Sequence, residues 1–198
     1  TANKDSGSAS TTEVIYALER SKMLTGDTTA QIIGFPLPGI VTSGFYSPQA
    51  FNVTSSNFPV AGNVPIVYMQ DDAWSGVTED HLKLWTVNVD WATPANSTIS
   101  TAQTLTTSAF TSVFDDGAWD NLAQPNGGAS IDALQATVMN QAQFRKFPSH
   151  NSAVFNFVVN TKTDADKQAG VRWFELRQAG DGQPWSIYQE GTYTAPND

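Results

Sequence analysis

Clustered carboxylates are the first residues in this chain that could do chemistry. Asp71 and Asp72, then Asp115 and Asp116 with Asp120 close behind, stand in polar stretches between apolar segments, as does Asp164-Ala165-Asp166. Oxygen-rich loops of this kind can hold Ca²⁺, which takes about six to eight oxygen ligands. None of them has the spacing of an EF-hand loop. Asp is also a turn former, because its side chain caps the backbone two residues on. Asp71 and Asp72 are the favoured metal candidates, since a Trp and a Gly follow directly, and Asp115 and Asp116 are the second pair. Trp74 and Trp119 lie in the same acidic loops. Their flat, apolar faces are candidates for a platform that stacks on glycan rings.

Catalytic arrangements are harder to find. A glycosidase needs two opposed carboxylates, and a sialidase adds an arginine cluster and a Tyr nucleophile. Arg172, Glu175, Arg177 and Tyr188 offer these groups, but Arg172 and Glu175 fall on opposite faces of one strand. A sialidase Asp-box, Ser-x-Asp-x-Gly-x-x-Trp, keeps only Gly182 and Trp185 here, with Gln178 and Gly180 in place of Ser and Asp. His81 and His150 are the two histidines, and no Gly-x-Ser-x-Gly elbow accompanies them. Gly127-Gly128 lacks the Lys of a phosphate-binding loop. Asn52-Val53-Thr54 and Asn96-Ser97-Thr98 fit the N-glycosylation sequon, and Asp27-Thr28-Thr29 fits an O-glycosylation pattern.

Composition narrows the classes further. The 198 residues have a formal charge of −9, from ten Lys and Arg against nineteen Asp and Glu. A phosphate backbone would be repelled, so nucleic acid is not an expected partner. No apolar run is long enough to span a membrane as a helix. Cysteine is absent, which removes disulfides, thiolate nucleophiles and Cys-ligated zinc. Charged residues make up only 15% of the chain, so Ser, Thr, Asn and Gln must carry the surface, a balance that suits strands and loops. It also suits an extracellular or cell-surface location.

The elements that must position these residues read as short antiparallel strands separated by Gly, Pro, Asn and Asp. Strands are expected over Val14–Arg20, Gln31–Phe35, Tyr46–Val53, Val64–Gln70, His81–Trp91, Ala153–Asn160, Gly170–Gln178 and Trp185–Thr194. Thr98–Phe110 is read as extended, and Leu134–Asn140 as a strand in preference to a helix. Gly180-Asp181-Gly182 marks a hairpin. Three strands combine an aromatic, flanking aliphatics and charged ends, which makes Tyr16, Trp85 and Trp173 equivalent. Trp85, Trp91, Trp173 and Trp185 are then expected to pack between sheets.

This repeat predicts an all-β fold, a partial β-propeller of about two and a half four-stranded antiparallel blades. Residues 1–13 are a linker or the end of a preceding blade, 14–40 a half blade, 41–126 a second blade with a long loop, and 127–198 a third, all within one propeller domain. Such a set leaves raw faces and edges, so the remaining blades must come from the parent protein or a partner chain.

The segments VIYALER (14–20), GIVTSGFYS (39–47), QDDAWSGVTEDHLKLWTVNVDW (70–91) and AGVRWFELRQAGDGQPWSIYQEGTY (169–193) resemble a propeller-like region of very large secreted surface proteins of Bacteroidota. The resemblance covers nearly the whole chain. It implies export by type IX secretion, neighbouring adhesion modules, and a region that continues on both sides. The expected function is therefore a non-enzymatic extracellular propeller segment serving adhesion, fibre assembly, or the binding of glycans or surface proteins. The competing expectation is a fragment of a secreted hydrolase whose catalytic residues lie largely outside this chain.

Overall fold

The computed structural model describes residues 2–6, 9–40, 48–60, 62–114, 120–162 and 167–195. It is all-β, with one short α-helix and two single 3₁₀ turns among the described residues. In the first sheet β1 (Ala2–Ser6) and β3 (Ile32–Pro36) flank β2 (Ala9–Leu18), and α1 (Arg20–Leu24) leads from β2 towards β3. The stretch 1–13, expected as a linker or the end of a preceding blade, thus contributes β1 and the start of β2. Thr25-Gly26-Asp27 closes the helix as a turn: Gly26 takes a positive φ of 69°, and the Asp27 carboxylate accepts from Thr29 N at 2.8 Å.

One segment then serves two sheets. β4 (Gln49–Ala50) and β5 (Asn52–Val53) are separated only by Phe51, and of the strand expected over Tyr46–Val53, residues 46 and 47 lie outside the described residues. In the second sheet β4 pairs with β6 (Val64–Gln70), β6 with β7 (His81–Asn88), and both β8 (Thr98–Ile99) and β9 (Gln103–Thr106) with β7. β10 (Asp120–Leu122) and β11 (Ile131–Asp132) form a small ribbon of their own. In the third sheet β12 (Gln143–Lys146), β13 (Asn151–Asn160), β14 (Ala169–Gln178) and β15 (Trp185–Tyr193) run up and down, and β5 pairs in parallel with β12.

Alternation along the strands explains how the sheets stack. In β7, Trp85 and Lys83 share a face with Ile66 and Tyr68 of β6, while Leu82 and Leu84 share the other with Val67 and Met69. The Trp85 side lies under the end of the first sheet: its indole donates to the Pro38 carbonyl at 3.1 Å, and the Lys83 ammonium to the Gly39 carbonyl. The Leu84 side faces the third sheet. Gln103, opposite Leu84 in the register, donates to the Trp185 carbonyl at 2.6 Å and accepts from Trp185 N at 3.0 Å. Phe51 meets Trp185 edge-on at 5.6 Å and stacks with Phe155 at 6.3 Å, which ties the shared segment into the same core. Phe155, Phe157 and Phe174 are fully buried in mutual stacks, each contributing about 2–3 kcal/mol of apolar burial.

Two expectations need correction. Leu134–Asn140 is not a strand. Residues 133 and 135–138 are buried in an irregular segment from which Leu134 points outward, with Leu134 and Ala136 at positive φ (48° and 61°) and the Gln135 side-chain Oε1 accepting from Phe114 N at 2.9 Å. The equivalence of Tyr16, Trp85 and Trp173 also fails. Trp85 is 1% exposed in the core, whereas Tyr16 is 40% exposed on the outer face of the first sheet and Trp173 lies on the outer face of β14, where Phe174 is the residue that turns into the core. A slip of one residue in aligning strands exchanges the two faces.

Candidate functional site

The favoured aspartates do come together. Asp71, Asp72 and Asp80 place one carboxylate oxygen each within 4.8 Å of one another, the first and last buried and Asp72 exposed. Their surroundings explain the burial. Asp71 accepts from Ala73 N at 2.7 Å and, through its other oxygen, from Ser112 N at 2.5 Å and the Ser112 hydroxyl at 2.7 Å. Asp80 accepts from Asp72 N at 2.8 Å and from Phe110 N at 2.6 Å. The two buried carboxylates thus staple the 71–80 loop to the segment 110–112. Desolvation raises the Asp80 pKa, opposed by the Phe110 and Asp72 amides and reinforced by the neighbouring charges of Asp71 and Asp72. Asp80 was not singled out from the sequence; the only trace it leaves there is an acidic residue directly before a strand.

Trp74 is not an open platform. It is 6% exposed and meets Tyr68 edge-on at 6.4 Å, because two consecutive turns, Trp74 N to Asp71 O and Val77 N to Trp74 O, fold the loop back onto the sheet. Its apolar ring gains more from burial than from display. Asp115, Asp116 and Trp119 lie outside the described residues.

The aromatic surface sits elsewhere, on the outer face of the third sheet. Val154, Val171, Tyr188 and Tyr193 are between 41% and 69% exposed there. Trp173 lies among them, flat against Gly191: a Cβ on that glycine would come within 2.8 Å of the indole. Beside this patch, Glu175 accepts from Arg177 Nε at 2.7 Å and Gln189 at 2.8 Å, and the Arg177 guanidinium sits 3.3 Å from the Tyr188 ring centroid. Burial pushes the Glu175 carboxyl up, but the Arg177 and Gln189 hydrogen bonds outweigh it and hold its pKa below the usual range. At the opposite end of the stack, Tyr16, Leu18 and Ile32 are 40% to 65% exposed on the outer face of the first sheet.

On the inner side of β14, Arg172 is buried and ties the third sheet to the segment following β9. It donates to Glu190 at 2.5 Å and to the Ser108 carbonyl at 3.2 Å, while Glu190 accepts from the Ser108 hydroxyl at 2.9 Å. Arg172 and Glu175, the pair that offered glycosidase chemistry in the sequence, therefore sit on opposite sides of the sheet, and each already has a partner. His81 is buried, with Nδ1 2.7 Å from the Glu79 carbonyl, and His150 stacks on Phe147 at 4.9 Å. Among the described residues no helix is long and apolar enough to cross a membrane. No protein-family model, curated protein or solved structure matches this chain.

Proposed function

We propose that the chain is a non-enzymatic segment of an extracellular β-propeller, whose three sheets act as neighbouring blades and whose outer faces receive further blades from the parent polypeptide or a partner chain. The observation that carries this reading is the apolar outer face at each end of a face-to-face stack: Val171, Trp173 and Tyr193 on one side, Tyr16, Leu18 and Ile32 on the other. Sheets buried on both sides, like the second one, show how this chain covers such faces internally. Two more features support the blade arrangement. β12 to β15 form one up-and-down run of four strands, and β5, one residue beyond β4 of the second sheet, pairs in parallel with β12 and so joins the second sheet to the third. In this role the protein builds or displays a binding surface at the cell exterior, in adhesion or fibre assembly.

Analytical ultracentrifugation with a dye that reports exposed apolar surface tests the reading. The wild-type chain is expected to bind dye and self-associate with rising concentration, and Val171→Lys with Trp173→Lys to remain monomeric with unchanged circular dichroism. A monomeric, dye-silent wild type, or turnover of fluorogenic glycosides or peptides, would contradict it.

A further inference from the structure

A groove of about 490 Å³ opens between the loop after β5 and the β12–β13 hairpin, lined by Ser56, Asn57, Phe58, Lys146, Phe147 and Pro148. Its size falls within the range of small-ligand sites, about 300–1,000 Å³. Two of its walls are aromatic and partly open, Phe58 at 64% and Phe147 at 41% exposure.

The groove is held in shape from behind. Phe147 is backed by the His150 ring at an interplanar angle of 20°, and His150 is fixed in turn by the Ser149 hydroxyl 3.0 Å from Nδ1. The Phe147 amide donates to the His150 carbonyl at 2.8 Å and closes the hairpin. One carboxylate ties the two walls together: Asp181 accepts from Val60 N at 3.3 Å on the loop side, and from Asn151 Nδ2 at 2.8 Å and the Lys146 ammonium on the hairpin side. Lys146 is thereby positioned in the groove with its charge balanced.

We infer that this groove binds neutral carbohydrate, with the C–H face of a sugar ring against Phe147 and Phe58 and its hydroxyls on Asn57, Ser56 and the Lys146 ammonium. Sugar rings combine an apolar face with a rim of donors and acceptors, and this lining offers both in one place. An anionic ligand fits less well, because Asp181 already neutralises Lys146 and the chain carries a net charge of −9. A lipid fits less well because half of the lining is polar. The inference names the ligand class of the binding role proposed above and rests on that reading. Its test is separate, since the groove lining shares no residue with the Val171, Trp173 and Tyr193 face invoked for association.

Titration calorimetry against neutral hexose oligosaccharides, uronate oligosaccharides and unstructured peptides decides it. Neutral oligosaccharides are expected to bind, Phe58→Ala and Phe147→Ala each to weaken binding at least tenfold, and Phe147→Trp to restore it. Asn57→Ala, in an exposed loop, serves where a Phe variant loses its fold, with an expected loss of several-fold. Absence of binding by any neutral oligosaccharide at millimolar concentration overturns the inference. So does preferential binding of uronates or peptides, or affinity unchanged in Phe58→Ala, Phe147→Ala and Asn57→Ala. If the oligosaccharide binds while the chain shows no self-association, the groove stands and the open-face reading falls.

Discussion

At the scale of single residues, the two members of the Asp71-Asp72 pair differ in burial. Asp71 holds the amide and hydroxyl of Ser112, which is itself fully buried, so Asp71→Ala leaves two donors unsatisfied and should cost about 3 kcal/mol. Asp72→Ala should stay within about 0.5 kcal/mol, because the side chain is exposed. Chemical denaturation of both variants tests the contrast. Asp181 works differently, since its hydrogen bond with Lys146 holds its folded pKa below the usual 3.8. A depressed carboxylate stabilises the fold above its unfolded pKa, and that contribution disappears as the pH falls through the folded value. The melting-temperature gap between wild type and Asp181→Asn should accordingly be constant near neutrality and narrow as the pH drops below about 4. A gap that does not change with pH would remove the electrostatic explanation.

At the scale of elements, period-two patterning carried most of the information. β6, β7, β13 and β14 could be read from the sequence because each alternates or is continuously apolar over seven residues or more, and the fold buries them accordingly. What was not legible depended on contacts distant in sequence. Nothing local in Asp71-Asp72-Ala73-Trp74 says that its loop turns back to cover Tyr68. The buried residues from 133 to 138 mimic a strand in composition while following an irregular path. The Phe58–Phe147 groove joins a loop to a hairpin some ninety residues away, and neither half carries a motif. The surface role of Trp173 was in principle visible, since Val171, Trp173, Glu175 and Arg177 occupy one face of β14 and Gly191 lies opposite the indole. Within the irregular segment, exposed Leu134 holds a left-handed conformation that a branched side chain disfavours by about 1–2 kcal/mol. Leu134→Gly should therefore be neutral or stabilising by up to about 1 kcal/mol, a sign that thermal melts can read directly. Gly191→Ala should act in the opposite sense, lifting the indole off the sheet and altering Trp173 fluorescence without removing the ring.

For the whole molecule, the account rests on a stack of three sheets in which the middle one is covered on both sides and the outer two are each covered on one. Apolar surface of this extent on a β-sheet face usually marks an interface. Low overall charge density leaves few groups to keep such a face in water, while the net charge of −9 discourages indiscriminate association with polyanions. Hydroxyl-radical footprinting of Trp173, Tyr193 and Tyr16 is the most direct measurement, made on the isolated chain and on a longer polypeptide carrying the proposed flanking blades. The account predicts strong labelling of all three in the isolated chain and protection of each in the longer one; equal labelling in both would contradict it.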